Sequence, residues 1–381
     1  MRRYFSILAL VAVVLAAFGR GEARQAVATN LVAYWPMNAF TANATPDASG
    51  NNNNAVQATA ANQPAPAAGL FTGALAFDGA ADFISAPDSA SLNVGTGNFS
   101  VAAWVRPSGT TVDRVVNKWD GTKGWLLDIN TGSGGGAAAS FLRLKMSDGT
   151  STIDYFVNAG LAVDAWTHIA ATIDRTAKQV KLYANATLIG TQTYPTLAGT
   201  LTNAAVLGIG TIPSSAGNYY GGALDEVRLY NAALSQAQVL TLVTPLPPSA
   251  LTATPVPTYG ARPVDLAWTA SAGSLSYRVY RSTTSGSGYV QIASGITGTT
   301  YTDNLPAYDT NYYYVVRGFN TVEGNNSNEA MAMVPQPPPR TERMGGDHMC
   351  GVSSAGEPGS LGFVAALAVL AMALASLRKA S

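Results

Sequence analysis

The chain has 381 residues, enough for two domains and tails, with 47% hydrophobic residues, only 12% charged ones and a formal net charge of zero. That composition allows sizeable cores and suits short strands and many turns better than long helices. It excludes nucleic acid as the main partner, because phosphate binding needs clustered Lys and Arg, and the single cysteine, Cys350, excludes an intramolecular disulfide.

The first predicted element, residues 1–23, is a secretory signal. Arg2 and Arg3 precede an apolar run from Ile7 to Phe18, and Gly21-Glu22-Ala23 offers small residues where a signal peptidase reads. The alternative, an uncleaved anchor, needs a longer run. A long β-rich stretch follows, residues 31–243. Phe99 to Val105 is rich in strand formers. Phe141 to Met146 alternates by two and ends on the turn Ser147-Asp148-Gly149. Trp166 to Ile173 and Val180 to Tyr183 flank a hairpin turn, and Val206 to Gly210 and Ala223 to Tyr230 are further strands. Only Ser235 to Leu242 has a helical pattern, with Ser235 as its N-cap. Many short strands over some two hundred residues predict a jelly-roll β-sandwich.

Residues 244–248, Thr-Pro-Leu-Pro-Pro, read as a stiff linker. A second β-rich stretch spans 249–334. Residues 335–360 carry Pro337-Pro338-Pro339 and few large apolar side chains, the composition of a disordered stalk. Residues 361–377 are uncharged and rich in Ala, Leu and Val. As a helix they would span about 25 Å, close to the hydrocarbon thickness of a bilayer. The basic tail 378–381 then favours the cytoplasmic side. The expected fold class is all-β, two sandwiches in series plus one C-terminal transmembrane helix.

Several segments make the first stretch resemble the laminin-G-like, concanavalin A-like jelly-roll family of bacterial surface proteins. In order they are Val32 to Met37, Asp47 to Asn51, Ala76 to Gly79, Phe99 to Val105, Trp166 to Ala170, Val180 to Tyr183, Leu224 to Asn231 and Ala233 to Ser235. Asn185-Ala186 departs from the Asn-Gly usual there, which leaves the turn type open, since glycine favours positive φ. The second stretch resembles a fibronectin type III domain, smaller and immunoglobulin-like. Leu266-Ala267-Trp268, Tyr277 to Arg281, Tyr301-Thr302-Asp303 and Tyr312 to Arg317 carry that resemblance, with Trp268 as the core tryptophan and Tyr312 as the tyrosine corner. Gly318 stands where that family more often has Ala. The tail from Cys350 onward resembles bacterial C-terminal sorting signals, and Cys350 is then the processing or lipid-attachment point. A GPI signal is the rival, but such tails usually lack terminal basic residues.

Catalytic and metal motifs are scarce. His168 and His348 are the only histidines, so zinc is excluded as a site of several His and Cys. No Gly-x-Ser-x-Gly elbow and no phosphate loop occur. Glycoside hydrolysis needs two carboxylates on one cleft. Asp225 and Glu226 are adjacent in a strand, which predicts that they point to opposite faces. Calcium fits better, because Asp47 to Asn52 offers hard oxygens in one turn. The jelly-roll resemblance implies a structural Ca2+ held by Asp47, Asn52 and Asp225. Trp119, Trp125, Tyr219 and Tyr220 sit in Gly- and Asn-rich segments and are expected to line a ligand-binding loop rim. Trp35, Trp104 and Trp166 sit in strand patterns and are expected in the core. The expected function is binding of an extracellular glycan or protein by a surface-anchored, non-enzymatic protein. Membrane contact is expected through the C-terminal helix. A structural spacer and a polysaccharide hydrolase are the alternatives.

Overall fold

In the computed structural model the described residues are 29–336, apart from 110–111, 131–139, 216, 257–261 and 305. The signal at 1–23, the stalk beyond residue 336, the apolar span at 361–377 and Cys350 lie outside them. Among the described residues no helix is long and apolar enough to cross a membrane.

The described chain is built of strands with one short α-helix. The first sandwich holds β1 (Leu31–Trp35), β2 (Ala44–Thr45), β3 (Ala55–Val56), β4 (Ala65–Ala68), β5 (Gly73–Asp78), β6 (Ile84–Ala86), β7 (Phe99–Pro107) and β8 (Val112–Trp119). It continues with β9 (Lys123–Asn130), β10 (Phe141–Asp148), β11 (Thr152–Asn158), β12 (Thr167–Asp174), β13 (Gln179–Ala184), β14 (Thr187–Thr193), β15 (Leu207–Ile209) and β16 (Gly221–Tyr230). One sheet runs β14-β13-β12-β7-β16-β5-β4, with β1 also on β16. The other runs β11-β10-β9-β8-β15-β6-β3-β2. Their inner faces enclose a core that includes Trp35, Phe77, Phe99, Trp125 and Tyr220.

β7 shows why the first sheet reads as strand without clean alternation. Phe99, Val101, Ala103 and Val105 enter the inter-sheet core, while Ala102 and Trp104 enter a second apolar layer on the opposite face. A strand buried on both faces has no polar phase. That second layer is made by α1 (Gln236–Val243), whose Val239, Leu242 and Val243 lie over the sheet together with Leu70 and Phe71. Ser235 caps α1 in a capping box. Gln238 N–H donates to its hydroxyl and Ser235 N–H donates to the Gln238 side chain.

The two-residue loop between β13 and β14 keeps positive φ at both Asn185 (49°) and Ala186 (61°), so it is a type I′ hairpin turn despite the missing glycine. Ala186 is buried in the α1 layer, which gives its methyl group a packing role that glycine would lack.

The second sandwich holds β17 (Ser249–Pro255), β18 (Val264–Thr269), β19 (Ser276–Ser282), β20 (Val290–Ile296), β21 (Thr300–Asp303), β22 (Asn311–Phe319), β23 (Glu323–Asn326) and β24 (Ala330–Met333). A three-stranded sheet, β17-β18-β21, faces a five-stranded one, β20-β19-β22-β23 with β24 also on β22. Trp268 lies in its core, edge-on to Tyr277 at 5.4 Å. The Tyr312 hydroxyl accepts from Ala307 N–H at 3.1 Å, fastening the loop before β22.

The sandwiches are joined by more than the linker. Leu246 N–H donates to Ala272 O at 3.0 Å and Gly273 N–H to Leu70 O at 2.9 Å. The Asn320 amide donates to Val243 O and to Gly273 O. Phe71 lies against Gly273, where an added Cβ would come within 2.7 Å of its ring. Gly318 has a similar reason. A Cβ there would fall 2.0 Å from Ser274 Oγ, in a region where Pro245 also packs.

Candidate functional site

Strand alternation decides what the outer face of the second sheet carries. Trp125, Leu127 and Ile129 of β9, Leu142, Leu144 and Met146 of β10, and Ile153 of β11 point into the core, with Tyr155 and Val157 packed against it. The intervening residues therefore face outward. Pairing aligns Arg114, Asp128, Arg143 and Phe156 across β8 to β11 in one row, and Leu126, Lys145 and Asp154 in the next. Phe141 stands opposite Asn130 and Asn158. Phe156 is 57% exposed, flanked along β11 by Asp154 and Asn158 and faced across the ladder by Arg143. Its ring and that of Phe141 lie 6.0 Å apart at 54°.

A ladder of ion pairs rigidifies this face. Asp128, fully buried, accepts from Arg114 Nε at 2.6 Å and Nη2 at 3.1 Å. Arg143 reaches Asp128 at 3.5 Å and holds Asp154 with two bonds, at 2.6 and 2.5 Å. Burial raises the Asp128 carboxyl above the usual aspartate range, outweighing the two guanidinium groups beside it. The bidentate bond to Asp154 raises Arg143 further, so it stays charged. Lys145 lies over the Trp119 ring at 5.2 Å. Trp119, Leu126 and Ile212 form a small apolar cluster there.

The residues expected at a ligand rim divide. Trp119 is on this face but only 8% exposed. Tyr219 is half-buried in the segment bordering β8, where Asn218 O accepts from Arg114 N–H. Trp125 and Tyr220 are corrected to core positions. Trp125 packs on Phe99 at 5.7 Å, and Tyr220 packs edge-on to Phe77 at 5.9 Å with its hydroxyl donating to Ala223 O. Both occupy the inward phase of their segments, so a Gly- or Asn-rich neighbourhood does not expose them.

Asp47 and Asp225 hold other bonds. Asp47 accepts from Tyr34 N–H and Ser49 N–H on one oxygen, and from the Ser49 hydroxyl and Asn53 N–H on the other. Asn52 is exposed with φ 59°. Asp225 accepts from Leu70 and Phe71 N–H at 2.9 and 3.3 Å. Among the described residues no three His, Cys, Asp or Glu gather to hold a metal. The donor set of Asp47 fits a loop organiser better than a cation ligand, because hydrogen bonds already surround both oxygens.

Asp225 and Glu226 also depart from expectation. A bulge in the β16 ladder between Asp225 and Arg228, with Glu226 at φ 55°, breaks the alternation. Both carboxylates then serve the outer layer of the first sheet, Asp225 on the 70–71 loop and Glu226 on Tyr34 and Arg228. Both are buried and bonded, so they present no open cleft. His168 is a core histidine beside Trp104. Burial pushes its imidazole down to about 3, so it is neutral.

Residues 78–240 match the family described as the concanavalin A-like lectin/glucanases superfamily. An amylopullulanase from Thermoanaerobacterium saccharolyticum is 37% identical over 82 residues, which are 22% of this chain and 6% of that enzyme. The chain thus spans a small part of the curated relative it matches. Among solved structures, an Fn3-like protein from Clostridium thermocellum is 42% identical over 25% of this chain and 97% of its own, with a TM-score of 0.23. Domain 4 of AbnA, an extracellular arabinanase from Geobacillus stearothermophilus solved with arabinotriose, is 21% identical. It covers 56% of this chain and 98% of its own, with a TM-score of 0.43.

Proposed function

We propose that the protein is an exported, non-catalytic glycan-binding protein whose sugar platform is Phe156 on the outer face of the second sheet. The carrying observation is Phe156 itself, a large ring left open on a sheet face and surrounded by Arg143, Asp154 and Asn158. An apolar ring with polar neighbours suits a sugar, which has C–H faces and a rim of hydroxyls. The match of residues 78–240 to a superfamily of lectins and glucanases supports a carbohydrate partner. Export through 1–23 and anchoring through 361–377, with processing at Cys350, complete the proposal. The binding reading does not depend on a calcium ion at Asp47, Asn52 and Asp225.

The same superfamily description includes glucanases, so turnover is the second reading. Asp128 and Asp154 share Arg143 on one face. Hydrolysis needs both carboxyl groups to reach the glycosidic bond. Asp128 is fully buried under its bonds to Arg114 and has no such reach. Reducing ends released from a polysaccharide, and lost in Asp154→Asn, would replace the binding reading with catalysis.

A glycan array tests the proposal. Phe156→Ala removes a ring that a bound sugar would cover, worth about 1.5–3 kcal/mol, or roughly a ten- to hundredfold loss of affinity. Its melting temperature should stay near that of the parent, because exposed side chains contribute little to stability. A folded parent that binds no glycan would favour a structural spacer.

A further inference from the structure

The charge on this face points to the class of glycan, and the inference rests on the glycan-binding reading. The outward rows around Phe156 hold three cations, Arg114, Arg143 and Lys145, and two anions, Asp128 and Asp154. Both anions are committed to arginines, Asp128 to Arg114 and Arg143, and Asp154 to Arg143. Lys145 stands opposite Asp154 in the ladder, yet the carboxylate turns to Arg143, and the ammonium rests on the Trp119 ring instead. Among the described residues Lys145 has no carboxylate partner. The turn beside Trp119, between β8 and β9, adds one charge of each sign, Asp120 and Lys123, and residues 211–220 contain no Asp, Glu, Lys or Arg, so the excess of one cation stands.

We infer that the ligand of this face is an acidic glycan, with a neutral sugar face on Phe156 and a carboxylate or sulfate reaching Lys145. A cation held over an aromatic ring is already oriented, so an anion arriving there loses little in ordering the lysine. Asp154 opposes an anion on the β11 side, which places the acidic group toward β8, over Lys145 and Trp119. Because Lys145 leans away from the β11 edge, the two contacts lie on different sugar residues, and a disaccharide is the smallest full ligand.

The test uses the full chain and three kinds of polymer. Polygalacturonate carries carboxylates, dextran sulfate carries sulfates, and pullulan is neutral. The parent should bind at least one acidic polymer more tightly than pullulan, in a salt-dependent way, and comparison of the two acidic polymers identifies the anion. Lys145→Gln should weaken acidic binding roughly fivefold and leave pullulan unchanged. Phe156→Ala should weaken both kinds. Equal binding of neutral and acidic polymers, or acidic binding indifferent to Lys145→Gln, overturns the acidic assignment while leaving the sugar platform intact. No binding to any glycan by a folded parent overturns both.

Discussion

Arg114→Ala is expected to lower the stability of the protein by about 3–5 kcal/mol near pH 8. Removing one member of a buried ion pair leaves the other as an uncompensated buried charge. Asp128 is fully buried and takes its two shortest bonds from Arg114, at 2.6 and 3.1 Å. Arg143, at 3.5 Å and already bidentate on Asp154, is a poor substitute. The sign of the pH dependence follows from Asp128. Its carboxyl is raised in the folded state, chiefly by burial, so the folded protein holds that proton more tightly than the unfolded chain. A raised acid is no burden below the ordinary aspartate range, where it is protonated in both states. Its cost builds as pH rises from the ordinary aspartate range to the folded value and is complete above it. Without Arg114 that value rises further, so the penalty of Arg114→Ala should shrink on acidification and be largest at alkaline pH. Urea midpoints at pH 4.5 and 8 measure it. Arg114→Ala with Asp128→Asn should recover much of the loss at pH 8, because the charge left behind is then gone. A pH-independent penalty would mean that Arg114 acts through packing alone.

Phe71→Ala is expected to cost about 3 kcal/mol and to separate the melting of the two sandwiches. Phe71 is buried between Trp104 of the first sheet, at 6.2 Å between rings, and Gly273 of the second sandwich. The loop that carries it is fixed from below by Asp225 and from above by the Gly273 N–H bond to Leu70 O. The other contacts are the smaller apolar side chains Ala272 and Val322 and the hydrogen bonds of Asn320 on Val243 O and Leu246 on Ala272 O, close to the linker. Loss of the ring therefore removes much of the apolar part of the junction. Gly273→Ala is a companion from the other side. Its φ of 84° is strained for alanine, and its Cβ would meet the Phe71 ring. Calorimetry should show one transition in the parent and two in Phe71→Ala. A single transition in both variants would place the coupling in the linker region.

The all-β architecture was legible because it rests on local signals. Phe141 to Met146 alternates, Ser147-Asp148-Gly149 turns, and Ser235 caps the helix with Gln238. Trp268 and Tyr312 could be placed because a core tryptophan and a corner tyrosine depend on few neighbours. The site was harder to find. Trp125 and Tyr220 attract notice as aromatics among glycines, but the period of two turns both inward. Phe156 gave a quieter signal, in the strand Thr-Ile-Asp-Tyr-Phe-Val-Asn. Ile153, Tyr155 and Val157 set the inward phase, so Phe156 is the large apolar residue on the polar phase, between Asp154 and Asn158. The ion-pair ladder was not legible at all. Arg114, Asp128, Arg143 and Asp154 lie up to forty positions apart, and only strand register brings them together. The bulge at Asp225 and Glu226 is hidden for a related reason. Glu226 takes positive φ in a bulge whose side chain is held by the distant Tyr34 hydroxyl, a tertiary bond that its own residue type does not announce.

The most direct measurement is a 19F spectrum of the protein labelled with fluorophenylalanine, recorded while a glycan selected on the array is added. Phe156→Leu assigns the key signal by its disappearance. The account predicts that the signals of Phe156 and Phe141 move with added glycan while those of the core residues Phe77 and Phe99 stay. Binding that leaves Phe156 and Phe141 unmoved would contradict it and place the sugar elsewhere on the protein.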